Sequence, residues 1–160
     1  SNAVEKIVKF IQNGESVVLL CLGDTSLFAS SSNILRLIKN NHSEIITKTI
    51  PGISSISAAA AFKDFDLVKK GETLIIKECP SSESELTTLI RESKPNKTVL
   101  AIMKVGKRWN LVRKILKKED IINTSLIALS VGMPDQIIQY ASKYKKEFMP
   151  YFSLILIRFD

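Results

Sequence analysis

A short apolar run followed directly by a polar turn constrains the fold of this chain more than any other stretch. Residues 17–22 (VVLLCL) lack polar alternation, which is typical of a short strand buried on both faces. Residues 23–26 (GDTS) are turn and N-cap types, and Leu27 begins a helical pattern that continues to Ile38. The sequence therefore predicts a strand, a turn and a helix in succession. In an open α/β sheet such a turn lies at the carboxyl edge, where ligands usually bind.

This turn does not assign a function by itself. Gly, Asp and Ser cap helices in α/β proteins generally, so a purely structural role stays open. A second polar turn at residues 51–57 follows a predicted strand at 44–50 and leads into an alanine-rich helix at 58–62. Two consecutive predicted strands thus end in polar, serine-bearing turns.

The rest of the chain predicts alternating helices and strands that end in strands only. Further helices are predicted at residues 4–13, 82–92 and 107–118, and further strands at 72–77, 98–103, 125–131, 136–141 and 152–159. Residues 132–135 (GMPD) predict a hairpin turn between two of these strands. An antiparallel run after alternating elements indicates a mixed sheet in an α/β fold.

Composition narrows the class of protein. Residues 1–3 resemble the remnant of a removed expression tag, and 45% of the chain is hydrophobic, enough for a packed core. Apolar runs are too short to span a bilayer and no signal-peptide pattern is present, so we expect a soluble, cytoplasmic protein without a membrane partner.

Cys21 and Cys79 lack metal-site spacing, so we expect structural thiols and no metal site. His42 follows a predicted helix and is expected to be a surface residue.

The formal net charge of +7 allows two classes of partner. One is nucleic acid, and the other is a small molecule rich in carboxylates or phosphates. The basic residues are spread over several predicted helices and loops, and no aromatic stacking signature accompanies them. A nucleic-acid-binding domain stays an alternative, and its affinity would fall steeply with salt.

Five short motifs occur in order along the chain and carry a family resemblance. They are GDTSLF at 23–28, PGISS at 51–55, MKVGK at 103–107, GMPD at 132–135 and PYFSLIL at 150–156. Together they resemble the tetrapyrrole methylases, and within that family the precorrin-2 (cobalt-factor II) C-20 methyltransferases of cobalamin biosynthesis.

The resemblance implies a two-domain α/β fold. S-adenosylmethionine would lie in the cleft between the domains, beside a trough for a polycarboxylate tetrapyrrole, and the protein would form a homodimer. It implies residues 4–51 as the remainder of a truncated N-terminal domain and 52–160 as a C-terminal domain with a mixed sheet. The family's first strand ends in a Gly-x-Gly-Pro-Gly-Asp loop, which is not found before Val4. A non-catalytic folded fragment or dimerisation module is therefore one alternative, and a methylase for another ring position is a second.

The resemblance also implies site residues and a reaction. The cofactor positions are Leu22, Gly23, Asp24, Leu27, Ser54, Ser55, Met103, Val131 and Leu154, with S-adenosylhomocysteine as the product. We expect Lys104, Lys107 and Arg108 to bind substrate carboxylates, with an exposed helix start as the alternative. No catalytic residue is assigned, because a sulfonium leaving group is already activated and alignment alone contributes about 7–11 kcal/mol in favourable cases. Asp24 is expected to shape the loop or hold the cofactor.

Overall fold

The computed structural model describes residues 2–159, and the chain divides into two compact units at Ser54 and Ser55. Ser1 of the predicted tag remnant and the terminal Asp160 lie outside the described residues. The domain boundary predicted after Pro51 stays a prediction. Across the described part of the chain, no helix is long and apolar enough to span a membrane.

Between residues 2 and 54, the first unit contains two helices that pack on each other. They are α1 (Asn2–Gln12) and α2 (Ser31–Asn41). α1 matches the predicted helix because apolar residues recur along one face, and Val4 and Val8 from that face bury against Ile38 of α2. The core of this unit is therefore small and made by helices.

The two strands predicted for the first unit are wrong. Residues 17–22 and 44–50 form no hydrogen-bonded ladder in the described structure, and Leu20 and Ile46 are 89% and 99% exposed. An apolar run becomes a buried strand only when neighbouring strands pair with its backbone and other elements cover its faces. The described residues provide neither here.

The predicted start of α2 at Leu27 is also wrong, since the helix begins at Ser31. Phe28 has φ 53°, in the left-handed region, and a right-handed helix cannot pass through that conformation. The residues between the polar turn and α2 therefore belong to the loop.

Over its described residues, 55–159, the second unit contains three further helices and five strands. The helices are α3 (Ser55–Phe62), α4 (Glu83–Ser93) and α5 (Trp109–Lys118), with 3₁₀ turns at Gly106–Arg108 and Ala141–Lys143. The strands are β1 (Thr73–Glu78), β2 (Thr98–Met103), β3 (Leu126–Leu129), β4 (Ile137–Tyr140) and β5 (Ser153–Ile157).

The strands form one mixed sheet in the order β1-β2-β5-β3-β4. β1 and β2 are parallel, while β5 is antiparallel to both β2 and β3. β3 therefore runs in the same direction as β1 and β2, and the carboxyl ends of these three strands share one edge with the amino ends of β4 and β5. β3 and β4 are antiparallel around residues 132–135, which confirms the predicted hairpin.

A large apolar core supports this sheet. The central strands β2 and β5 are almost completely buried. Trp109 at the start of α5 is fully buried, donates from its indole Nε1 to the Lys146 carbonyl (3.0 Å), and packs edge-on against Tyr144. These contacts attach residues 144–149 to the core and fix the chain that leads into β5.

Candidate functional site

The polar loop of the first unit is organised around the Asp24 carboxylate. Asp24 Oδ1 accepts hydrogen bonds from the Ser26 hydroxyl and the Ser26 backbone N–H, both at 2.7 Å. These bonds hold the pKa of Asp24 below its usual range, with the Ser26 hydroxyl as the main cause. The Ser32 hydroxyl in α2 donates a further hydrogen bond to the Thr25 carbonyl (3.1 Å). The carboxylate is therefore ionised at neutral pH and shapes the loop.

Two glycines let this loop approach the second polar turn within the same unit. Gly23 has φ 73°, and a Cβ added to Gly52 would overlap with the Gly23 carbonyl oxygen. Only glycine fits at Gly52 without moving the backbone. The structure thus joins the two turns that the sequence identified, through direct packing of their main chains.

Three of the predicted cofactor residues meet at the carboxyl edge of the sheet in the second unit. Met103 ends β2 and is paired with Leu154 of β5, which also pairs with Ala128 of β3. Val131 lies two residues beyond the end of β3. Leu154 is buried, whereas Met103 and Val131 are partly exposed. This is the edge where α/β sheets usually bind ligands.

The other predicted cofactor residues belong to the first unit or to the start of α3. Leu22 is 60% exposed in the first unit, and Leu27 is partly buried there. Ser54 ends the first unit, and Ser55 begins α3.

The loop after β3 carries a dense hydrogen-bond network. Ser130 has φ 47° and is buried, its backbone N–H donates to the Phe152 carbonyl (2.9 Å), and its hydroxyl donates to Asp135 Oδ2 (2.9 Å). The Gly132 N–H donates to Gln136 Oε1 (2.8 Å). The sequence predicted only a turn here. Ser130, two residues before GMPD, and Asp135, its last residue, were the available signal, but neither their bond nor the strained φ can be deduced from spacing.

The three basic residues follow β2 at the same edge. Lys104 has φ 56° and its Nζ lies 3.4 Å from Glu78 Oε2, at the end of β1. Lys107 is exposed and Arg108 is partly buried, both in the 3₁₀ turn. Glu78 was missed by the sequence analysis, because a carboxylate at a strand end has no distinctive pattern.

An exposed aromatic pair lies beside this basic turn. The rings of Tyr151 and Phe152 contact each other edge-on at 5.2 Å and are 70% and 53% exposed. The neighbouring Ser153 hydroxyl accepts from the Gly106 N–H (2.8 Å), which fixes the pair's backbone against the turn. Cationic and apolar groups are thus adjacent at one edge of the sheet.

The described residues contain no group of three or more His, Cys, Asp and Glu side chains arranged to hold a metal ion.

Comparison with known proteins identifies the family. A sequence model described as Tetrapyrrole (Corrin/Porphyrin) Methylases matches residues 1–143. The chain belongs to this family. The resemblance inferred from the five motifs is thereby confirmed.

Two curated relatives illustrate how much of the family's length the chain covers. It is 23% identical over 157 residues to the cobalamin biosynthesis protein CobIJ of Mycobacterium tuberculosis strain H37Rv, covering 98% of this chain and 30% of that one. It is 24% identical over 149 residues to the cobalt-precorrin-2 C(20)-methyltransferase of Salmonella typhimurium, covering 92% of this chain and 60% of that one. The chain thus spans less than two thirds of the length of these relatives.

Solved structures of the family share the fold. Cobalt precorrin-4 methyltransferase CbiF superposes with a TM-score of 0.74 at 19% identity, over 98% of this chain and 69% of that one. The uroporphyrin-III C-methyltransferase of Thermus thermophilus, complexed with S-adenosyl homocysteine, superposes with a TM-score of 0.62 at 15% identity, over 97% and 71%. The predicted α/β fold with a mixed sheet in its second part is confirmed.

Proposed function

We propose that this tetrapyrrole methylase chain serves S-adenosylmethionine-dependent methyl transfer to C-20 of precorrin-2 or cobalt-factor II in cobalamin biosynthesis. The observation that carries the proposal is the convergence of Met103, Val131 and Leu154, three positions chosen from sequence motifs far apart, at the carboxyl edge of one sheet. The match of 92% of the chain to a relative named as a cobalt-precorrin-2 C(20)-methyltransferase supports the choice of ring position.

The residues present fit a sulfonium nucleoside. Its adenine needs an apolar surface for the ring, which Met103 offers. It also needs backbone groups that can form hydrogen bonds with its edge, which Val131 offers. Its amino-acid and ribose groups need close approach to main chain and small polar side chains, and the family resemblance assigns Gly23, Ser54 and Ser55 to such positions. Asp24 and Leu27 hold the shape of the Gly23 loop, and Leu22 leads into it.

The cofactor supplies an activated methyl group when it is bound, so the chain's own contribution is alignment. Asp24 is not assigned as a general base in this proposal, because the hydrogen bonds from Ser26 lower the pKa of its carboxyl and make the carboxylate a weaker base. Lys104, Lys107 and Arg108 bind the carboxylate arms of the macrocycle, and the aromatic pair Tyr151 and Phe152 offers an apolar surface beside them. The meso carbon loses its hydrogen as a proton after the methyl group arrives; in this proposal that proton passes to water, and no residue of the chain is assigned as its acceptor.

Calorimetric titration with S-adenosylhomocysteine tests the cofactor part. We expect one-to-one binding by the wild-type chain and weaker binding by a Met103→Ala variant. A Lys118→Ala variant, changed at the far end of α5, should bind as wild type does. A chain shown to be folded by circular dichroism that gives no binding heat would contradict the proposal.

Titration with uroporphyrin III, a polycarboxylate tetrapyrrole, tests the substrate part. Replacing Lys104, Lys107 and Arg108 together with alanine should weaken binding by about tenfold or more, because several charge-assisted contacts are lost. A control that replaces Lys117, Lys118 and Lys143 changes the net charge equally but at the opposite end of the sheet. Equal weakening in both variants would show a non-specific charge effect and would overturn the assignment of the three residues.

The ring position has a specific competitor. The structure with the TM-score of 0.74 is named for cobalt precorrin-4, not precorrin-2. Isotope labelling of the methyl group, followed by NMR of the methylated tetrapyrrole, distinguishes C-20 from other carbons.

A further inference from the structure

The hydrogen bonds around Val131 leave its own backbone N–H and C=O available to bind a ligand. Within the described structure, the Val131 N–H and C=O make no hydrogen bond, while the polar backbone groups on both sides of them do. Val131 is partly exposed at the carboxyl edge of the sheet. Its N–H and C=O are therefore a donor and an acceptor available side by side.

The orientation of each group is fixed from the other end of its peptide. The Ser130 carbonyl accepts from the Met133 N–H (2.9 Å), and this carbonyl shares a planar peptide with the Val131 N–H. The Gly132 N–H donates to Gln136 Oε1 (2.8 Å), and it shares a peptide with the Val131 carbonyl. Because N–H and C=O point in opposite directions across a trans peptide, both free groups of Val131 are held outward.

The bond between Ser130 and Asp135 stabilises the conformation that makes this possible. Ser130 has φ 47°, a left-handed backbone conformation that is strained for a residue other than glycine. Its hydroxyl bonds to Asp135 Oδ2 at 2.9 Å, and its N–H bonds to the Phe152 carbonyl at the same distance. A strained residue held by both of its polar groups is characteristic of a site that has been shaped in advance.

We infer that Gln136, Ser130 and Asp135 are positioning residues, which hold the Val131 peptide so that its N–H and C=O read the ring nitrogen and exocyclic amino group of an adenine. The inference rests on the proposed function for the identity of the ligand. It gives a role in cofactor binding to three residues that had none in the sequence analysis. A peptide fixed in advance binds with a smaller entropy loss than a mobile one.

Variants of Gln136 separate positioning from simple stability. Gln136→Leu removes the acceptor for the Gly132 N–H at similar size, whereas Gln136→Glu retains an oxygen there. Each protein is titrated with S-adenosylhomocysteine and with S-inosylhomocysteine, whose C6 oxygen cannot donate to the Val131 carbonyl. We expect wild type and Gln136→Glu to prefer the adenosyl compound and Gln136→Leu to lose about three- to tenfold of that preference, the value of one hydrogen bond.

A second measurement needs no ligand. Nitrogen-15 relaxation of the Val131 and Gly132 amides should show a rigid loop in wild type and Gln136→Glu, and increased mobility in Gln136→Leu and Asp135→Ala. Asp120→Asn, a charge change in a turn outside this loop, is the control and should leave these amides rigid.

The two measurements fail in different ways. A Gln136→Leu protein that keeps both a rigid loop and the full adenosyl preference overturns the positioning role alone. A wild-type chain that binds neither nucleoside overturns the proposed function, and the amide mobility of the variants then still decides whether Gln136 holds the Val131 peptide.

Discussion

Cys79 is a buried thiol whose surroundings suppress its chemistry. It is 3% exposed, and burial raises the pKa of its thiol to about 11, against a smaller opposing effect of the Arg108 charge. At about pH 8, roughly one Cys79 side chain in a thousand is then a thiolate. We predict that Ellman's reagent modifies one thiol per native chain, the less buried Cys21, and both thiols in denaturant.

A Cys21→Ser variant sharpens this test, because only Cys79 then remains. It should show no rapid reaction in the native state and one reacting thiol after unfolding. Rapid modification of the native variant would contradict the burial of Cys79.

Glu72 and Arg158 form a mostly buried ion pair that fastens residues 66–72 to the end of β5. Both side chains are less than 15% exposed, and Arg158 also donates to the Asp66 carbonyl (2.9 Å). The Arg158 bonds hold the pKa of Glu72 below its ordinary value of 4.5. The ionised carboxylate therefore stabilises the fold above pH 4.5, and this contribution is lost as the pH falls through the lower, folded-state pKa.

We predict that Glu72→Gln lowers the urea midpoint at neutral pH, and that wild type and variant converge in acid. Urea unfolding curves across this pH range measure the effect. Glu85→Gln, which removes an exposed partner of Lys77, is the control and should shift the midpoint little. A difference between wild type and Glu72→Gln that is constant with pH would contradict the ionic origin of the effect.

At the scale of elements, the two polar turns of the first unit depend on contact between main chains. We predict that Gly52→Ala destabilises this unit by about 1–3 kcal/mol, because the new Cβ meets the Gly23 carbonyl oxygen and the backbone has to move. Chemical shifts of the Gly23 to Ser26 amides should change in the variant. Gly14→Ala is the comparison, since Gly14 has φ 84° but open space around it. It should leave those amides unshifted.

The sequence predicted the elements of the second unit within a few residues and failed on the strands of the first. β2 was predicted with its observed bounds, because its apolar residues find paired strands and covering helices within the chain. The run at 17–22 has the same apolar character but lacks such partners among the described residues. Periodicity reports what a segment can bury, and only the tertiary structure decides whether a neighbour is present.

In the candidate site, too, the sequence predicted the residues that lie in motifs but not the backbone conformations that depend on the folded chain. Motifs identified Met103, Val131 and Leu154, and the sheet register brings them to one edge. The positive φ of Lys104 and Ser130 was not predictable, since neither residue type signals the left-handed region. At Ser130 the angle is held by hydrogen bonds to Phe152 and Asp135, which become neighbours only in the folded chain.

For the whole molecule, the contrast between the units predicts unequal local stability. The core of the first unit contains few buried side chains, while the second has a five-stranded sheet with a much larger core. Local opening is easiest where few apolar contacts and no ladder bonds protect the amides. We predict that residues 17–22 and 46–50 exchange their amide hydrogens at nearly intrinsic rates, whereas β2, β3 and β5 exchange slowest. Hydrogen exchange followed by peptide mass spectrometry measures this. Protection of residues 17–22 equal to that of β2 would require a strand partner that the described residues do not contain.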